Sequence, residues 1–347
     1  MESPPQMARV AGVSGTSRSL AAQYRRFADA EGTSPLQARL ALAISRSADA
    51  LHAVEAAPPQ RRGPALVLAA LHDLALAERA PALEDAAVDT LVHRADEVAA
   101  IAARRRHRPD EAGRHAVLHP AVAEAAHRTG ADAIGLIDLG RPAGLNLAVD
   151  RVGVRYDAGA TRGDPASPVQ RAATVVGGRP VPAHPVPDVV ARIAVDREPL
   201  DVADTENARW LRACLPPDAT DQRRDLDTEI ALVATLGPRY LGGDPVDRLT
   251  EALAHVPDDA LPVVTTTWAL SRLSAARRQR FADVIGATDR PVAWVSVEGV
   301  GVAPGVPTLG DRPASGHSII GLALPGGPPD VLGRCWSRGR LLSWFGG

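Results

Sequence analysis

The 347-residue chain contains no lysine; all 39 of its basic residues are arginine. Without a lysine there is no Schiff-base chemistry and no phosphate-binding loop of the lysine-serine/threonine type. Cysteine is nearly as scarce. Cys214 and Cys335 are the only two, too few and too far apart for a zinc-ligand spacing or a disulfide framework. No apolar run reaches 18 residues and the start of the chain carries no apolar signal segment, so a cytoplasmic protein with no membrane partner is expected. The formal net charge is only -2, which gives nucleic acid no bulk electrostatic hold. No Gly-x-Ser-x-Gly elbow and no His-Glu-x-x-His pattern occurs. His107, His115 and His119 cluster, but without the acidic companion a zinc helix uses, so no metal is expected. A small molecule remains as the expected partner.

What is present changes character along the chain. The first third is helical. Ser34-Pro35-Leu36-Gln37 reads as N-cap, N1 and a glutamine reaching back from N3. Apolar residues then recur at helical spacing through Leu36, Leu40, Ala43, Ile44, Ala48 and Leu51. Pro58-Pro59 and Gly63-Pro64 interrupt, and helices are expected again over 65–80, 83–106 and 111–128. From there the period shortens. Strand-like runs stand at 134–139, 189–195, 239–241, 262–266, 292–297 and 317–324, most of them separated by helical stretches. Strands alternating with helices predict a mostly parallel, doubly wound sheet. The expected organisation is a flexible N-terminus (1–16), a helical region (17–129) and a Rossmann-like α/β domain (130–347). A Gly/Pro-rich insertion at 157–188 has the length of a lid or of a disordered segment.

The chemistry concentrates where the first strand ends. Ile134-Gly-Leu-Ile-Asp138-Leu-Gly140-Arg-Pro-Ala-Gly144-Leu-Asn146 is an apolar run closing on an acid and a glycine, then a second glycine opening a helical pattern. A buried strand, a tight turn and a helix N-terminus give this order, and amides at such a helix start suit a polar or anionic group. The spacing is Asp-x-Gly-x-x-x-Gly, not Gly-x-Gly-x-x-Gly, which disfavours a nicotinamide-dependent oxidoreductase.

The pieces Arg108-Pro-Asp-Glu-Ala-Gly-Arg114, Asp138-Leu-Gly-Arg-Pro-Ala-Gly-Leu-Asn-Leu147, Gly163-Asp-Pro-Ala-Ser-Pro-Val169, Arg192-Ile-Ala-Val-Asp-Arg-Glu-Pro-Leu-Asp201, Ala208-Arg-Trp-Leu-Arg-Ala213 and Trp294-Val-Ser-Val-Glu-Gly299 run in one collinear order. In these the chain resembles the bacterial domain-of-unknown-function 2332 family over nearly its whole length. The resemblance implies a fold and no established chemistry. The chain departs from the family pattern in three places. Asp138 stands where glutamate is usual, and Arg141-Pro142 where Ala-Ser is usual. The histidine and serine usual near Thr266-Thr267-Trp268 are missing, and Arg338-Gly339 stands in place of a histidine-glycine pair. Pro142 also removes a backbone donor from the turn.

The acid-glycine turn looks like the first motif of S-adenosylmethionine-dependent methyltransferases. On that plan Asp138, Gly140, Gly144 and Asn146 contact the cofactor. Asp196, ending the second strand, would hold ribose hydroxyls, and Asp157 is its competitor. Asp244, ending the third, would accept from an adenine amino group. Thr266 and Trp268, ending the fourth, would face the crevice. Each has a plainer reading: turn or cap acids for the aspartates, strand packing for the threonines, core for the tryptophan. Glu111 and Arg114, at i and i+3, form either an intrahelical ion pair or a substrate-binding face with Arg114 gripping a carboxylate. The expected function is binding of S-adenosylmethionine or a related nucleoside, with group transfer to a small molecule. The rival is a non-catalytic ligand-binding or regulatory protein on a degenerate Rossmann-like fold. No residue presents itself as a general base.

Overall fold

The computed structural model describes residues 15–78, 86–108, 114–157, 159, 161–177 and 179–346. Residues 1–14 of the expected flexible N-terminus, the start of the helix expected at 83, and Glu111 lie outside the described residues. The chain divides into two compact units, residues 1–109 with 209–223, and residues 110–208 with 224–347.

The first unit is helical: α1 (Gly15–Ala30), α2 (Pro35–Arg46), α3 (Ala48–Glu55), α4 (Pro64–Ala77), α5 (Ala87–His93) and α6 (Ala95–Arg104). Ser34 caps α2 as the sequence predicts, its Oγ accepting from the Gln37 amide at 3.0 Å. The second half of the cap comes from elsewhere: Asp218 accepts from Ser34 Oγ at 2.6 Å and from the Leu36 amide at 3.0 Å. The pattern running on to Leu51 is two helices, because Ser47 is extended and recaps the chain through the Ala50 amide. The expected 83–106 helix likewise breaks at Arg94. Helix α4 is buried on most of its circumference, apolar but for His72 and Asp73. The returning segment 209–223 is tied in by polar bonds. The Trp210 indole donates to Arg106 O at 3.1 Å, and Arg209 pairs with Asp73 at 2.9 Å.

The second unit begins with α7 (His115–Thr129) and holds an eleven-stranded, mostly parallel sheet. The strands are β1 (Ala133–Leu139), β2 (Gly153–Tyr156), β3 (Thr161–Gly163), β4 (Gln170–Val175), β5 (Asp188–Asp196), β6 (Arg239–Gly242), β7 (Leu261–Thr267), β8 (Ala293–Gly299), β9 (Ser318–Ala323), β10 (Asp330–Trp336) and β11 (Leu341–Trp344). Their order is β3-β2-β4-β11-β10-β9-β8-β7-β1-β5-β6. The five strands β6, β5, β1, β7 and β8 are parallel neighbours, while β8, β9, β10 and β11 run antiparallel in turn. Between β1 and β7 the chain order reverses, and α/β sheets open a crevice at such a switch, beyond the carboxyl ends of the strands.

Period-two alternation sorts each strand between two cores. Ile134 and Leu136 face α7 together with Val263, Val295 and Val297. Ile137 and Leu139 face the other way, with Val264, Trp294 and residues of α10 (Leu249–Ala254) and α11 (Ala275–Gly286). Both faces being covered explains the near-continuous apolar runs of β1 and β8. Helix α7, expected with the helical region, packs here because its residues 116–126 fill the sheet core.

The insertion at 157–188 is not without structure among its described residues. It supplies β3 and β4, which extend the sheet beside β2, and β4 also pairs with β11. Its Gly/Pro content serves the turns; Gln170 Nε2 ties one of them by donating to Ser167 O at 2.8 Å. Two further helices, α8 (Thr205–Ala213) and α9 (Thr220–Leu236), carry the chain between the two groups of residues. No helix among the described residues is long and apolar enough to cross a membrane.

Candidate functional site

Asp138 is the last but one residue of β1, opposite Ala194 of β5 and Thr265 of β7. Alternation points its side chain to the α7 face with Ile134 and Leu136, but at the carboxyl end, beyond the apolar core. It has no solvent exposure. Oδ1 accepts from Asn146 Nδ2 and from Thr265 Oγ1, each at 3.1 Å. Asn146 also donates to Thr267 Oγ1 at 3.1 Å. Oδ2 is buried and has no hydrogen-bond partner among the described residues. Burial pushes the Asp138 carboxyl up to about 7, against the pull of the Asn146 and Thr265 bonds and of Arg114, while the charge of Asp196 adds to the rise. A buried carboxyl with one oxygen bonded and the other bare is an expensive arrangement to keep, and such groups mark functional sites.

The turn after β1 is built on glycine. Gly140 has φ +76 and Gly144 φ +62, a region costly for residues with a Cβ. Space is also short: a Cβ on Gly140 would stand 2.7 Å from Ala269 Cβ, and one on Gly144 would stand 3.0 Å from Ala194 Cβ. Gly140→Ala should therefore lower stability by about 1–3 kcal/mol in chemical denaturation. Adding Ala269→Gly should recover the steric part and leave the backbone part; full recovery would mean the positive φ costs nothing.

Arg114, at the N-cap of α7, lies with its guanidinium carbon 4.5 Å from the Trp268 ring centre. Trp268 has φ +50, and its indole donates to Ser318 Oγ at 2.8 Å. The structure thus groups Asp138, Gly140, Gly144, Asn146, Arg114 and Trp268 at one edge of the sheet. Asp196 ends the neighbouring strand, is buried, and bears electrostatically on Asp138. Its Oδ1 accepts from the Glu198 amide at 2.9 Å, the turn role open to it from sequence. Asp157, its competitor, sits at the far end of the sheet, accepting from the Val175 amide at 2.9 Å.

Two expected residues are placed differently. Thr266 points to the opposite face, where its hydroxyl accepts from the Trp294 indole at 3.0 Å; Thr265 and Thr267 are the threonines beside Asp138. Asp244 is engaged by cations and a turn. It accepts from Arg197 at 2.7 Å, from the Val246 amide at 3.0 Å and from Arg277. Partial burial raises its carboxyl, but the bonds from Arg277, Arg197 and Val246 outweigh that and hold it below the usual range. Glu111 lies outside the described residues.

Sequence reasoning also missed two buried carboxylates. Glu298, ending β8, clamps the turn after Trp268. Glu229, on α9, meets His115 Nε2 at 3.3 Å and Arg171 Nη2 at 2.7 Å. The signal for Glu298 was its place at a strand's carboxyl end; Glu229 had none, since its partners lie 58 and more residues away in sequence. A separate cleft of about 790 Å3 opens at the amino ends of β1 and β7, beside Arg290. There Arg290 commits its guanidinium to the carbonyls of Leu253, Val256, Pro257 and Ala260.

No curated protein and no solved structure matches this chain. The model of one family, described as an uncharacterized protein conserved in bacteria (DUF2332), matches residues 21–344. Those residues take in every part of the site described above, and the chain belongs to this bacterial family.

Proposed function

We propose that the crevice at the carboxyl ends of β1, β5 and β7 binds S-adenosylmethionine or a related nucleoside, and that the protein transfers a group from it to a small molecule. The observation that carries this reading is the bare, buried Oδ2 of Asp138 at the point where strand order reverses. The order third-second-first-fourth-fifth of the parallel strands is that of doubly wound, nucleotide-binding sheets, here read as a methyltransferase-like Rossmann core. A cationic ligand group beside Oδ2 would supply the partner that Asp138 lacks. Asp196, which ends the neighbouring strand, would hold the ribose hydroxyls. Asp244 fits less well, because Arg197, Arg277 and its own turn already engage it. Arg114 forms the side of the crevice facing the acceptor molecule, and the Trp268 ring beside it stands between acceptor and nucleoside. The cofactor, when bound, supplies an electrophilic carbon on a sulfonium. The residues of the chain bind, orient and exclude water.

One observation favours the second reading, a non-catalytic binding protein. The β1 turn carries a buried Arg141 and, in Pro142, a residue with no amide to donate. Titration calorimetry with S-adenosylmethionine, S-adenosylhomocysteine and NAD decides first whether the site is of this class. The expected result is binding of the first two and not of the third. Binding of none overturns the cofactor assignment, and binding of S-adenosylhomocysteine with no methyl transfer to any acceptor supports the regulatory reading.

A further inference from the structure

The motif Trp294-Val-Ser-Val-Glu-Gly299 has no task in the function just proposed. In the fold it is β8, and its glutamate is the most costly residue in it. Glu298 is 1% exposed, on the face away from Asp138. Its Oε1 accepts from two successive amides, Ala269 at 2.9 Å and Leu270 at 3.0 Å. Oε2 is buried and makes no hydrogen bond among the described residues. Burial pushes the carboxyl up to about 7, while the amides of Leu270, Ala269 and Ser271 and the charge of Arg272 pull it back. An apolar residue would fill this place at less cost.

The two amides follow Trp268 directly. Trp268 holds a left-handed backbone, with φ +50, which a bulky residue keeps only where its surroundings enforce it. Four bonds do so: the Trp268 amide to Val297 O at 3.0 Å, the Trp268 indole to Ser318 Oγ, and the two of the Glu298 clamp just beyond. The clamped turn meets the residues around Asp138 at two points. Its Ala269 methyl occupies the space a side chain at Gly140 would need, and its Trp268 ring lies against Arg114.

We infer that Glu298 is a positioning residue of the crevice: by holding the turn 268–270 against the Gly140 corner, it fixes Trp268 as the wall a bound nucleoside meets, without itself touching the ligand. This rests on the function proposed above in one respect only, the identity of the ligand. Glutamine at 298 keeps an oxygen for both amides, so Glu298→Gln should preserve the wall. Glu298→Ala should release it.

The test uses the full chain, with amide hydrogen exchange at 269 and 270, S-adenosylhomocysteine affinity by calorimetry and a melting control. Glu298→Ala should speed exchange at those two amides about 100-fold relative to the β1 and β7 amides. It should weaken S-adenosylhomocysteine about tenfold or more, the scale of one or two ordinary hydrogen bonds lost. Glu298→Gln should stay within about threefold of the parent on both counts. Because Glu298 acts through the tryptophan, Glu298→Ala in a Trp268→Ala background should cost less than about threefold further. Equal losses with and without Trp268, or a loss for Glu298→Gln at unchanged melting temperature, overturn the inference. If Glu298→Ala does not fold, Glu298→Met takes its place with the same expectations. Failure of the parent chain to bind S-adenosylhomocysteine would count against the cofactor assignment instead, and slow exchange at 269 and 270 after loss of the carboxylate would still sink the clamp.

Discussion

Glu229→Ala should destabilise the protein by about 3–5 kcal/mol, the largest loss expected from any single substitution away from the crevice. The carboxylate is 1% exposed and faces His115, equally buried, and Arg171, whose side chain is 11% exposed. Removing it strands a guanidinium and an imidazole in a place water hardly reaches, and an uncompensated buried charge costs more than the pair was ever worth. Arg171 retains Asp225 at 3.2 Å, but Asp225 is largely exposed and a weak substitute. The same logic sets a control. Replacing Glu229 and Arg171 together by methionine removes both charges at once and should recover most of the loss, since buried ion pairs are poor stabilisers against apolar residues of similar size. The pH dependence follows from the direction of the shift. Burial raises the Glu229 carboxyl, but the charge and hydrogen bond of His115 and those of Arg171 bring it below its ordinary value. A depressed acid contributes stability above its unfolded value and loses it as pH falls through the folded one. The parent should therefore weaken in acid more steeply than Glu229→Ala, whose acid limb is flatter. Urea denaturation from pH 3 to 7 checks both; a loss under about 1 kcal/mol at neutral pH would show that the cluster is open to water.

Glu229 also marks the limit of what sequence alone can reveal. Its partners come from α7 and β4, and neither periodicity nor motif spacing brings residues 115, 171 and 229 together. Where the physics is local, the reading held. The apolar run ending in Asp138 became a central buried strand, because a run buried on both faces fits a parallel strand with helices on either side. Ser34 and Pro35 opened a helix where capping chemistry requires one. The threonines show the next level. A run of three gives no sign which face each one takes; that is fixed by the register of β7 on β1, which sets Thr265 opposite Asp138 and turns Thr266 to the Trp294 side. The strands of the Gly/Pro-rich segment escape the sequence for a related reason. Composition indicated turns, but pairing of β4 with β2 and β11 is a long-range event that its own residues do not announce. For Asp244 the acid was seen and its neighbours were not. Arg197 and Arg277 are distant in sequence and take up the carboxylate that the adenine was to use.

Asp138→Asn should make the protein more stable at pH 8 and leave it nearly unchanged at pH 4 while weakening its ligand, a combination that a merely structural aspartate would not give. In the folded chain burial holds the carboxyl near pH 7, whereas an unfolded aspartate titrates near 3.8. Between those values the native state keeps a proton that the unfolded chain has released. Stability therefore falls as pH rises through the window, and above about 7 the full cost is in place. At about 1.36 kcal/mol per pH unit that cost is on the order of 4 kcal/mol, an upper bound. Asparagine never ionises, and its Oδ1 still accepts from Asn146 and Thr265. Its amide, however, takes the place of the bare Oδ2, and a buried donor without a partner costs about 1–3 kcal/mol. The balance is a gain of roughly 1–3 kcal/mol at pH 8; at pH 4 the protonated parent carries a buried O–H donor without a partner too, so the two should lie within about 1 kcal/mol. Binding should move the other way. A cationic ligand must ionise Asp138, so below pH 7 the parent should lose S-adenosylmethionine affinity by about tenfold per pH unit, releasing a proton as it binds. Asp138→Asn should bind about tenfold or more weakly at pH 8, with no such slope between pH 5 and 8. Denaturant melts at the two pH values, with calorimetry across the range, measure both halves. Weaker binding with lowered stability at every pH would make Asp138 a packing residue and move the site elsewhere. A gain in stability with unchanged affinity would mean that the carboxylate serves something other than a cation.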